Sequence, residues 1–140
     1  MNINFSELVH SIGDAVVISD AHGTIVYWNP AAERIFGFSE KEALGANMDL
    51  IVPERLRHRH NVGYEHSMET GTTRYGDKLL TVPALHRSGK PLSIAFTVSM
   101  IFDDKQQPIA VAAVIRDDTE RFNEQRALKK RIAELEAQSK

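Results

Sequence analysis

The 140-residue chain predicts an α+β fold, a five-stranded antiparallel sheet with its helices on one face. Three observations predict it. Two runs rich in β-branched and apolar residues come first, a helical stretch follows, and three longer strand-like runs come after it. Tight turns, Asp20-Ala21-His22-Gly23, Arg87-Ser88-Gly89-Lys90 and Asp103-Asp104-Lys105-Gln106, join consecutive runs and make them antiparallel neighbours. Helical spacing of apolar residues is confined to the segments before, between and after the strands.

Each element follows from its residues. Phe5, Leu8, Val9 and Ile12 fall at i, i+3, i+4 and i+7, one apolar face of a short helix with Ser6 near its start and Gly13 as its stop. A strand over residues 14–19 and a second over 24–28 form a hairpin. Asn29-Pro30 ends the second strand, because proline cannot donate to a ladder but suits a first helical turn. Ala31, Ala32, Ile35 and Phe36 then recur at helical spacing until Gly37. Ser39 with Glu42 is a capping box, opening another turn that stops at Gly45. Pro53 opens a longer helix over 54–69, closed by Thr70-Gly71. Strands are expected at 79–86, 92–102 and 109–116.

From Thr119 the pattern is helical again. Gln125, Leu128, Ile132 and Leu135 form a heptad seam flanked by Arg126, Lys129, Lys130, Glu134 and Glu136. About two heptads are marginal alone, so this helix needs a second copy or its own sheet to lean on. A homodimer is the favoured reading, and a solvated tail folding back on the domain is the alternative. The chain divides into a flanking helix (1–13), a globular domain (14–117) and a signalling or dimerisation helix (118–140).

Composition narrows the function. With 17 basic and 19 acidic residues the net charge is -2, which gives no electrostatic reason to expect nucleic acid or an anionic membrane as partner. No run approaches the roughly 20 apolar residues of a membrane span, and no leader pattern opens the chain, so a cytoplasmic location is expected. Cysteine is absent, which excludes disulfides, thiolate metal sites and a cysteine nucleophile. There is no G-x-S-x-G, P-loop or H-E-x-x-H, so an enzyme is not expected.

Six histidines raise a metal reading, with His58, His60 and His66 on one helix. Residues two and six apart point about 200° and 240° around a helix, so none of these pairs shares a face. His60 alone is more informative. It shares a stripe with Leu56, Gly63, Tyr64 and Ser67, an imidazole between an apolar side chain and a gap that a flat ligand would suit. The competing reading is a histidine on a polar, partly exposed helix surface, since Arg55, Arg57, His58, Arg59 and Asn61 surround it. Trp28 reads as a core aromatic, and the four methionines are scattered.

The run Gly23 to Gly45, GTIVYWNPAAERIFGFSEKEALG, is similar to the PAS sensor-domain family, and Arg116-Asp117-Asp118-Thr119-Glu120-Arg121 resembles the run with which such domains leave their last strand. The resemblance implies a curved sheet holding a ligand-sized pocket coupled to a helix. It also implies that this is a sensory signal-transduction module with a signalling partner protein in trans, because no output segment is left in 140 residues unless the chain is a piece of a longer one. The photosensing branch depends on a flavin-adduct cysteine that this chain lacks. Residues 53–60, PERLRHRH, resemble the segment that carries the iron-ligating histidine in oxygen-sensing members. That likeness implies b-type haem ligated by His60, basic groups for its propionates at His66 and Arg74, and an apolar wall at Leu79, Ile94, Phe96 and Val98. Those members place an oxygen-binding arginine where this chain has Leu80, which cannot donate a hydrogen bond. The resemblance then points to carbon monoxide, nitric oxide or redox state as the signal. Asp117, Asp118 and Thr119 are implied as the relay from sheet to helix, with a helix cap as their structural role. A small apolar or carboxylate metabolite in the same cavity, or a ligand-free dimerisation module, are the other readings.

Overall fold

The computed structural model describes residues 1–73 and 77–139. Its elements run α1 (Phe5–Ser11), β1 (Ala15–Asp20), β2 (Ile25–Trp28), α2 (Pro30–Phe36), α3 (Glu40–Ala43), α4 (Arg57–Thr70), β3 (Leu80–Leu85), β4 (Pro91–Phe102), β5 (Pro108–Asp117) and α5 (Thr119–Gln138). Short 3-10 turns at Met48–Ile51 and Glu54–Leu56 lie between α3 and α4. All five strands are antiparallel in the order β2-β1-β5-β4-β3, so the last strand sits in the middle of the sheet.

Local chemistry explains most boundaries. The Ser39–Glu42 capping box is present, each side chain accepting the other residue's backbone N–H at 3.1 Å. Asn29 caps α2 with Pro30 in its first turn, and Gly37 ends it at φ +81°. Its left-handed φ favours glycine, and a Cβ there would lie 2.6 Å from the tip of the His86 ring, which would have to turn aside where the β3–β4 turn docks against the end of α2. The Arg87 N–H donates to the Phe36 carbonyl at 2.8 Å, and its guanidinium meets Glu42 at 2.9 Å.

Three expectations shift. Asn4 caps α1, not Ser6, and the helix ends at Ser11, with the extended backbone of Ile12 as its C-cap one residue before Gly13. Thr24 is outside β2, held to Asn47 by an isolated bridge. The helix expected from residue 54 begins as a 3-10 turn and becomes α-helical only at Arg57.

Antiparallel register puts opposing residues on one face. Val17 faces Ala113 and Trp28, Ala15 faces Ile115, Phe96 faces Ile115 and Leu80, and Val98 faces Ala113. This inner face is covered by α2, α3 and Ile51. Trp28 and Phe36, both essentially inaccessible, tilt against each other with centroids 5.5 Å apart. The Trp28 indole N–H donates to the Phe38 carbonyl at 3.0 Å, so its burial leaves no donor unpaired. Burying side chains of this size contributes about 1.5–3 kcal/mol each.

Candidate functional site: the α4 helix and its flanking clefts

Helix α4 has no buried residue, yet it is not freely solvated. Leu56, Arg57, His60, Tyr64, Ser67 and Met68 are half-buried, and at 100° per residue they span an arc of about 120° facing the domain. His66 lies on the opposite side and is exposed, as is His58. The stripe read from the sequence is therefore the side that meets the sheet, except that Gly63 sits on its exposed shoulder with nothing within 4 Å of a Cβ built there.

The helix touches the sheet through one polar contact among the described residues. The Tyr64 hydroxyl donates a short hydrogen bond to the Asp20 carbonyl and meets the Ser19 hydroxyl at 2.9 Å. Ser19 is buried at 2 % exposure, in line with Ala15 and Val17 on the inner face of β1. Burial, partly offset by the Ser19 hydrogen bond and reinforced by the nearby Asp20 charge, pushes the Tyr64 phenol above the usual tyrosine range. Tyr64 is thus a neutral donor at any physiological pH.

His60 is one helical turn before Tyr64, with ring centroids 6.1 Å apart. Its Nδ1 is buried and, like the Tyr27 hydroxyl and one Asp49 carboxylate oxygen, has no hydrogen-bond partner among the described residues, where buried polar atoms are nearly always paired. His60 and Tyr64 line a cleft of about 440 Å³ with His22 and Gly23 of the β1–β2 turn, Met48 and Met68. On the other flank, His66 lines a second cleft of about 490 Å³ with Val62, Gly63, Ser67 and Thr72. Among the described residues no group of three or more His, Asp or Glu side chains could hold a metal ion, so the helix histidines form no multi-ligand site.

The expected apolar wall stands on the sheet and lines neither cleft. Ile94 is buried in the core, Phe96 and Val98 are half-buried against it, and Leu80 is half-buried opposite Phe96. Leu80, Phe96 and Val98 share the inner face with Ser19, the residue that Tyr64 contacts, so α4 and this wall belong to the same side of the sheet. Leu79 is 65 % exposed, and Arg74 lies outside the described residues. At the exit of β5, the Asp117 carboxylate accepts the Thr119 N–H at 2.9 Å. The Asp118 N–H donates to the Ser93 carbonyl at 2.8 Å, and the Ser93 N–H donates to the Thr119 hydroxyl at 3.0 Å. Asp118 is the cap residue of α5, but its side chain makes no cap hydrogen bond and instead lies 3.6 Å from Arg121.

Sequence reasoning passed over Ser19, Asp20 and His22 as site residues. The one available signal was Ser19, a hydroxyl on the apolar face of a strand.

A family model described as the PAS fold matches residues 4–117. The chain is 46 % identical over 54 residues to "Sensor protein FixL" of Bradyrhizobium diazoefficiens, a stretch covering 39 % of this chain and 11 % of that protein. It is 26 % identical over 115 residues to "Oxygen sensor protein DosP" of Escherichia coli, covering 82 % of this chain and 14 % of that one. The chain thus spans well under a fifth of the length of these relatives. Among solved structures, the PAS domain of a Colwellia psychrerythraea protein superposes with a TM-score of 0.72 at 21 % identity, covering 83 % of this chain and 95 % of that one.

Proposed function

This chain belongs to the PAS family, a domain of sensor proteins, and on that premise we propose that it is a sensory module whose α4 helix holds a b-type haem through His60. The observation that carries the reading is the His60 imidazole, turned toward the domain with a buried nitrogen that has no partner among the described residues. The surroundings suit the group only in part. Leu56 and Tyr64 flank the imidazole one turn either side, and Leu80, Phe96 and Val98 offer an apolar surface on the same side of the sheet but outside the cleft that His60 lines. His66 is exposed on the far side of α4 and lines the other cleft, so it is not placed beside a group held by His60, and the resemblance leaves Arg74 as the basic residue for a propionate. Bound haem supplies an iron that takes a diatomic ligand or changes redox state.

The rest is the work of this chain. His60 would hold the group, with Tyr64, Met48 and Met68 beside it in the same cleft. Leu80 offers no hydrogen bond to a bound gas, which disfavours stable oxygen binding relative to carbon monoxide, nitric oxide or a redox signal. A shift of β4 or β5 around the group reaches Asp118 and Thr119, whose hydrogen bonds to Ser93 join the sheet to α5, and Asp117, whose carboxylate accepts the Thr119 N–H. A ligand biases these arrangements only by its differential affinity for them. The exposed seam of α5 then carries the change to a second copy and to a signalling partner.

Hemin titration of the purified protein tests the assignment. A Soret band should appear with wild type and be lost in His60→Ala, while His66→Ala, on the far side of α4, should leave it in place. A wild-type protein that gives no Soret band returns the module to a metabolite-binding or ligand-free dimerisation role.

A further inference from the structure

Helix α4 poses a mechanical question. It has no buried side chain, its N-cap residue Leu56 makes no side-chain cap bond, and its first turn holds no acidic residue. Packing holds it only in part, through a half-buried stripe that includes Leu56, His60, Tyr64 and Met68. Its ends are held by chain connectivity, by the Arg57 Nε–H donating to the Val52 carbonyl at 3.0 Å, and by Gly71 against Phe102. Between those ends the only polar tie to the sheet among the described residues is Tyr64. Its hydroxyl donates to the Asp20 carbonyl and meets the hydroxyl of buried Ser19.

We propose that the Tyr64 hydroxyl is a latch that fixes α4 to the end of β1, and that α4 and the β1–β5 strand pair move together through this bond and not through apolar packing. Tyr64 is a positioning residue for the helix that carries His60, so the idea rests on α4 being the ligand-bearing element. Ser19 and Asp20 are opposite Val111 and Ala110 on β5, the strand that ends at Asp117. A displacement of α4 at the His60 cleft would thus be felt on the strand that leads to α5, with one hydroxyl as the connection.

Hydrogen–deuterium exchange on the full chain tests the latch, with or without hemin. Tyr64→Phe keeps the ring beside His60 and deletes only the hydroxyl, while Ser19→Ala removes one partner from the other side. The loss of one net hydrogen bond should speed exchange over residues 57–70 by about two- to tenfold, leaving the protection of β4 unchanged. The double variant should exchange no faster than Tyr64→Phe alone, because both changes break one link. Wild-type exchange rates over 57–70 in Tyr64→Phe would overturn the proposal, as would acceleration spread evenly over the sheet or strict additivity of the two variants. Absence of a Soret band in wild type would remove the haem assignment and leave this exchange result to decide the latch by itself.

Discussion

Asn29 shows how much one side chain can organise. It is fully buried, and its Oδ1 accepts N–H groups from Val16 at 2.9 Å and Ala32 at 3.0 Å. Its Nδ2 donates to the carbonyls of Val9 at 3.0 Å and Asp14 at 3.1 Å, tying α1, β1 and α2 together. Asn29→Ala should destabilise the fold by about 3 kcal/mol, combining a lost cap with buried backbone groups left unpaired. A lowered urea midpoint would show it, and Asn29→Asp, which sets a buried carboxylate against the Val9 and Asp14 carbonyls, should be no milder. The Asn29-Pro30 pair was legible as a strand exit and helix start. Its links to Val9 and Asp14 were not, because they join residues that sequence spacing does not bring together. His60 repeats the lesson, since helical spacing put it on the right stripe while the unpaired nitrogen emerged only from packing.

At the scale of elements, short-range signals served well wherever a residue's own chemistry decides the outcome. The capping box of α3, the proline at the start of α2 and the five strands all follow from local preferences. The 3-10 turns at Met48–Ile51 and Glu54–Leu56 did not, since such turns are short and set by where the chain must arrive. Helix α4 is the element least supported by packing, and Gly63 weakens it further. Gly63→Ala meets no neighbour within 4 Å, so it should stabilise α4 by up to about 1 kcal/mol. Slower amide exchange along α4 would confirm this. Unchanged hemin affinity in the same variant would show that the ligand does not approach the helix backbone at this glycine.

For the whole molecule, the sheet order depends on the β1–β5 pairing, which joins the two ends of the domain and which no local pattern announces. Hairpin turns made β1–β2, β3–β4 and β4–β5 legible, while the β1–β5 closure appeared only in the structure. Helix α5 leaves this body with Leu128 at 63 %, Ile132 at 54 % and Leu135 at 48 % exposure, so the alternative of a tail packed on its own sheet does not describe this structure. We expect wild type to sediment as a concentration-dependent dimer and Leu128→Asp/Ile132→Asp to sediment as a monomer with an unchanged circular dichroism spectrum of the domain. A wild type that stays monomeric would rule out the seam as a self-association surface. The geometry of that helix has a mechanical corollary. Twenty residues make a lever about 30 Å long, pinned at its base by Ser93, so a rotation of roughly 5° there would swing its tip by about 2.5 Å. A movement too small to break any strand pairing would be magnified at the far end into a step comparable to half a helical turn.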